Sequence, residues 1–135
     1  MAGGLSNFQE AAWLNLTFGG VAYSAPATIY LGLFTTTPTD STSGTEATGG
    51  GYARAAITNN PTNWPTVAAG GTKVNGTTIT FPTLSAGIGT INGFAYFDAA
   101  SGGNMIAWGD LSRPRPYNAS DTPRFLPGDL SIALD

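Results

Sequence analysis

Residues 28–57 read TIYLGLF (Thr28–Phe34), TTTPTDSTSGTEATGGG (Thr35–Gly51) and YARAAI (Tyr52–Ile57). An apolar run is followed by a long polar passage of low complexity and then by a second apolar run. β-Branched and aromatic residues crowd both apolar runs, so each predicts a β-strand. TIYLGLF is apolar at nearly every position, the pattern of a strand covered on both faces. Between the runs, Thr, Ser and Gly with one Pro offer little to bury. Loops longer than about 12–15 residues with no structure of their own are uncommon in compact domains and are usually functional or disordered. The passage is therefore expected to be an arm or lobe that orders against a neighbour, with Asp40 its only aspartate and Glu46 its only glutamate. Deleting residues 40–48 would then spare the fold and weaken assembly.

Downstream the chain continues to read as β. Tyr52–Thr58 predicts a strand, and Trp64 is the one large apolar anchor in the turn-rich Asn59–Pro65. Asn75-Gly76 between extended segments has the signature of a two-residue hairpin turn. Ile88–Asp98 and Met105–Leu111 predict further strands, and Gly93 suggests a bulge or a close backbone approach. Ser112–Pro116 carries two prolines and two arginines, which suits an extended edge or a loop. Thr122–Leu126 and Leu130–Leu134 predict two short strands joined by a Pro127-Gly128 turn.

Upstream, residues 1–4 are small and expected to be flexible, and residues 5–18 predict a helix. Ser6 and Gln9 have capping-box spacing, and Gly19-Gly20 supplies a stop. Phe8, Ala11, Ala12, Trp13, Leu14 and Leu16 keep to no single stripe. Such a helix is either buried in its own fold or shared with a neighbouring subunit. The whole predicts one mainly β domain, residues 1–135: an antiparallel β-sandwich or jelly roll with a short N-terminal α-helix and a long loop or arm at 35–51.

Composition narrows the function classes. Hydrophobic residues make up 41% of the 135-residue chain, enough for a core, but only 10% are charged, against about a quarter in ordinary domains. A surface so poor in charge has little colloidal defence against association. It is either covered by other subunits or simply neutral. The net charge of −3 argues against a nucleic-acid partner, which calls for a basic stripe. Arg113, Arg115 and Arg124 could cluster, more readily as a local ion-pair site than as a groove. No apolar stretch is long enough for a transmembrane helix, so no membrane partner is expected. The N-terminus lacks the pattern of a signal peptide. With no cysteine, there is neither a disulfide framework nor thiolate chemistry.

Histidine is also absent, which rules out His-based triads and the commonest metal ligand. A carboxylate pair of glycosidase type would have to come from Asp98, Asp110, Asp121, Asp129 or Glu46. Asp98 and Asp110 each end an apolar strand, where a carboxylate ordinarily accepts turn N–H groups. Asp98, Asp121 and Asp129 lack a calcium-loop spacing. No catalytic, cofactor or metal residue is assigned, and no enzymatic activity is expected. Trp13, Trp64 and Trp108, with Tyr30, Tyr52, Tyr96 and Tyr117, could stack sugars, but most lie inside strand or helix patterns, where core packing is their ordinary role.

LGLFTTTPTDSTSGTEATGGGYARAAIT, NWPT, NGTTITFPTLSAGIGTINGFAYFDAASGGNMIAWGDL and FLPGDLSIALD together resemble a group of small tailed-bacteriophage virion proteins. Members are labelled tail-fibre-like or capsid-decoration proteins. The resemblance spans about Leu5 to Asp135 and implies a β-sandwich or jelly roll serving as a structural part of the virion. The chain has neither the repeats nor the coiled-coil segments of an elongated fibre. The expectation drawn from this is a capsid cement protein, made in the host cytoplasm and bound to the capsid exterior. It would be a homo-oligomer, dimer or trimer, with the major capsid protein as partner. Its contacts would fall on Phe8, Trp13 and Leu16 of the helix and on Asp40 and Glu46 of the long loop. The alternative is a tail-associated, tail-fibre-like protein that meets host surface glycans.

Overall fold

The computed structural model of the protein describes residues 3–67 and 70–134. TIYLGLF lies within strand β2 (Thr28–Thr36), and β2 is paired along both edges. On one side runs β7 (Gly89–Phe97), with Leu33 opposite Phe94. On the other side two strands lie end to end. β4 (Ala55–Thr58) pairs with the first half of β2, and β3 (Thr45–Glu46) pairs with the second. Strand β8 (Met105–Tyr117) flanks β7, and β1 (Gly3–Leu5) adds to the outer edge of β8, with Gly4 opposite Trp108. All pairings are antiparallel. Gly3 and Gly4 are thus strand residues where a flexible run is expected, while Met1 and Ala2 lie outside the described residues.

Two ribbons form the rest of the β structure. β5 (Thr72–Val74) pairs with β10 (Ser131–Ala133), and β6 (Ile79–Thr80) pairs with β9 (Arg124–Phe125). From them and their flanks, Ile79, Phe125 and Leu130 join Leu31, Leu33, Phe94 and Tyr96 of the large sheet in one buried cluster. A smaller cluster of Phe34, Ala95 and Phe97, backed by Tyr30, Met105 and Trp108, forms beside it. Residues from both clusters alternate along β2, which is why TIYLGLF has no polar face. The fold is mainly β with antiparallel sheets and one short helix, as the strand patterns predict.

Asn75-Gly76 departs from expectation. It makes no hairpin, because β5 and β6 pair with C-terminal strands rather than with each other. Asn75 is buried, and its side chain serves as a tie. Its Nδ2 donates to the carbonyls of Thr77 (3.0 Å) and Leu126 (2.9 Å), and its Oδ1 accepts from the Leu130 backbone N–H at 3.0 Å. A side chain facing inward to hold two ribbons together cannot also tip an exposed turn. The Pro127-Gly128 turn does form: the Asp129 N–H donates to the Leu126 carbonyl, and Gly128 takes φ 84°. Only glycine adopts that conformation without strain. Strand β8 runs through Pro114 and Pro116. Because β1 pairs only with residues 107–109, the missing N–H groups fall on a strand end with an open edge.

Helix α1 (Asn7–Thr17) starts later than the expected residue 5, because Leu5 belongs to β1, but its cap is the expected one, with Ser6 Oγ accepting from the Gln9 N–H at 3.2 Å. The reciprocal half of a capping box is replaced, since Gln9 Oε1 accepts from the Tyr23 hydroxyl at 2.9 Å. The Ser6 hydroxyl also donates to the Met105 carbonyl, which anchors the start of the helix to β8.

Asn75→Ala leaves the buried Leu130 N–H and the part-buried Thr77 and Leu126 carbonyls without their partner. Urea unfolding should show a loss of about 3 kcal/mol; a loss below about 1 kcal/mol would mean that the tie contributes little.

Candidate functional site: an exposed helix and a fastened loop

Gln9 is the one residue of α1 buried in the body. Phe8, Trp13 and Leu16 are exposed, and so are Leu14 (60%), Phe18 just past the helix (82%) and Val21. The sequence pattern leaves own core and shared interface open, and in this chain the apolar side chains of α1 stay out of the core. Glu10 is the only charge from Asn7 to Val21, so neither repulsion nor strong hydration guards this surface. An 11-residue helix is marginal in water by its own propensity and ordinarily depends on packing. Here the packing comes from Ser6 and Gln9 against β1 and β8, with Trp13 at the edge of the neighbouring cavity. No helix among the described residues is long and apolar enough to cross a membrane.

Beside the helix lies a cavity of about 420 Å³, lined by Trp13, Tyr23, Ile29, Trp64, Ile132 and Leu134 among others. Trp64 and Tyr96 meet edge to face in its wall, 5.1 Å between centroids. The Trp64 indole N–H and the Tyr96 hydroxyl are buried with no hydrogen-bond partner among the described residues. Burial pushes the Tyr96 hydroxyl far above its ordinary pKa, so it stays protonated.

The long loop, expected as an arm or lobe that orders against a neighbour, is bonded to its own chain. Its end forms β3 on the edge of β2, the Ala47 N–H donates to the Leu33 carbonyl, and Pro38 and Ala47 are buried. At Gly93 an added Cβ would run into Thr37, so a glycine there lets the loop lie against β7. Asp40 Oδ1 accepts from the Trp108 indole N–H at 2.6 Å. Glu46 takes a two-pronged contact from Arg54, Nε to Oε1 and Nη2 to Oε2, each 2.8 Å. The Tyr52 hydroxyl donates to Glu46 Oε1 at 2.9 Å and accepts from the Leu33 N–H. Asp40 and Glu46 therefore fasten the loop to its own sheet.

Burial alone would raise the Glu46 pKa. The hydrogen bonds from Arg54 and Tyr52, together with the Arg54 charge, outweigh it and hold the carboxyl below its ordinary range. Burial, the largest effect on Tyr52, pushes that hydroxyl well above its usual value, so it remains a donor.

Three other carboxylates cap turns. Asp98 accepts from the Asn104 N–H and side-chain amide, Asp121 from the Asn118 N–H, and Asp129 from the Leu126 N–H. Among the described residues no three acidic groups converge as a metal site would need. Of the residues singled out from sequence, Phe8, Trp13 and Leu16 fall on one exposed element. Asp40 and Glu46 are loop anchors elsewhere. Leu14 and Phe18, more exposed than any of these, escape a search for amphipathic stripes, because a helix apolar all round has no stripe to find. Arg54 is missed because a lone arginine beside a strand gives no signal of what it will pair with.

The chain matches, over residues 4–133, the family described as "Podophage GP4 fiber I protein gp80". Against curated proteins it has no match.

Because Glu46 is held ionised by folding, its contribution is complete above the unfolded glutamate pKa of about 4.3. It is lost as pH falls through the lower folded value. Glu46→Gln should cost about 2 kcal/mol at neutral pH and flatten the fall in stability below about pH 4, as read by denaturant melts across pH. An unchanged acid limb would show that other carboxylates govern it. Deleting residues 40–48 removes β3, Ala47 and both anchors, so the remaining chain should lose its cooperative thermal transition. Retention of that transition would restore the expected arm.

Proposed function

Because the chain belongs to the podophage GP4 fiber I protein gp80 family and is a bacteriophage virion structural protein, we propose that it is a fibre component, built into the virion through helix α1. The carrying observation is the exposure of Trp13, Leu14 and Leu16 on a helix whose only buried residue is Gln9, and of Phe18 just past its end. In a chain with 10% charged residues, such a surface is covered by protein in the working state. The coat is a second copy of the same helix, giving a homo-oligomer whose β bodies face outward. The family supports the tail-fibre alternative over capsid cement, so the major capsid protein, the partner that cement requires, is not part of this proposal. The role is architectural rather than enzymatic, which accords with carboxylates occupied in turns and anchors.

Leu14→Ser and Phe18→Ser alter exposed positions outside the core and should leave a folded chain with a cooperative melt, its Tm lower only by what assembly contributes. By light scattering after gel filtration, the wild-type chain should be an oligomer and the double variant a monomer. Phage carrying the double variant should lack the protein in purified particles. Equal mass for both proteins, or undiminished incorporation, would sink the helix as the assembly element.

A further inference from the structure

Three of the five basic residues, Arg113, Arg115 and Arg124, lie on β8 and β9, in a chain of net charge −3. The ion-pair site that the sequence suggested does not form, since the salt bridge among the described residues is Arg54–Glu46. Arg115 and Arg124 come from different sheets yet line one shallow cleft of about 500 Å³, with Tyr117, Asp121, Thr122 and the flanking prolines. Arg113 stands two residues before Arg115 on the same strand. Charge and proline on an open strand edge can serve simply to block edge-to-edge pairing. That would explain Arg113 to Pro116 but not Arg124, which reaches the cleft from another sheet.

The guanidinium of Arg115 sits 5.3 Å from the centroid of the buried Phe125 ring. Stacking fixes its plane while leaving its N–H groups free for a ligand. Asp121 is held by the Asn118 N–H through Oδ2, which leaves Oδ1 without a partner among the described residues. A bare phosphate or an acidic peptide would gain from the arginines and be repelled by Asp121. A sugar bearing one acidic group uses both: its oxyanion meets the guanidinium fork, and its hydroxyls donate to the carboxylate. Tyr117 and the prolines offer apolar faces for the ring.

We propose that this cleft between β8 and β9 binds an acidic saccharide, carboxylated or phosphorylated, through Arg115 and Arg124, with Asp121 accepting from its hydroxyls. The proposal rests on the fibre role for where such a ligand would be met, but the binding belongs to the single chain.

The test is an amide NMR titration of the whole chain with trigalacturonate, sialyllactose and glucose 1-phosphate. Maltotriose, inorganic phosphate and an Asp/Glu-rich peptide serve as comparisons. At least one acidic sugar should shift the amides of Tyr117, Asp121 and Arg124 and bind about tenfold or more tightly than any comparison ligand. Arg115→Gln with Arg124→Gln should weaken it about tenfold, and added salt should weaken it too. Asp121→Asn should narrow the preference over inorganic phosphate. The Leu14→Ser, Phe18→Ser variant should bind as the wild type does, so failed assembly and failed binding are separable. Absence of shifts with all three acidic sugars, shifts elsewhere on the protein, equal binding of maltotriose, or tighter binding of phosphate or the acidic peptide would each overturn the proposal.

Discussion

The Arg54 guanidinium ties the end of the long loop, eight residues before it, to the Phe97–Gly102 stretch more than forty residues after it. It grips both oxygens of Glu46 on β3, and its Nη1 donates to the carbonyls of Ala99 and Gly102 at 2.9 Å each, in the turn between β7 and β8. Its carbon lies 3.6 Å from the centroid of Phe97. The Arg54 side chain is only 6% exposed, so losing one partner would leave a charge stranded in the interior. This arrangement turns a polar loop with almost nothing to bury into a fixed part of the sheet. Tyr52 extends the same network, bonding Glu46 and the β2 backbone while its ring stacks on Phe81.

Fastening the loop changes where an interaction surface can be sought. With Asp40 and Glu46 committed internally, the long loop is part of the body rather than a free surface. Exposed apolar side chains on the body are scattered, as at Val74, Leu126 and Leu134, whereas on α1 and just beyond it they follow one another closely in the chain. The body holds the helix through Ser6 and Gln9 and leaves Leu14 and Leu16 exposed. The proposed assembly through α1 would use that geometry, with one apolar element outside the core. The arginine cleft is lined by no residue of α1, so the proposed ligand and the proposed assembly contact need not compete.

Much of the β framework is legible in the sequence. β-Branched and aromatic runs mark β2, β4, β7 and β8, and Ser6 with Gln9 marks the helix start. What the sequence hides is pairing between distant segments. Asn75-Gly76 has the local chemistry of a hairpin, yet tertiary demand for a buried amide bonded to Thr77, Leu126 and Leu130 overrides it. The Thr35–Gly51 passage looks unburied by composition, because its attachment depends on Arg54 and Trp108, residues outside it. Residues 3 and 4 form a strand although glycine is a poor strand former, since β8 presents an edge for them to pair with. At the candidate interface, the exposure of Phe8, Trp13 and Leu16 follows from how little of α1 the body covers, which no helical periodicity encodes.

The central claim is that α1 is bare on the isolated subunit and covered in the particle. Hydroxyl-radical footprinting of purified virions against the monomeric Leu14→Ser, Phe18→Ser chain tests it most directly, with Trp13 and Leu16 as reporters and exposed Leu126 on the body as reference. Trp13 and Leu16 should be oxidised readily in the monomer and protected in the virion, while Leu126 changes little. Equal oxidation of Trp13 and Leu16 in both states would contradict the claim.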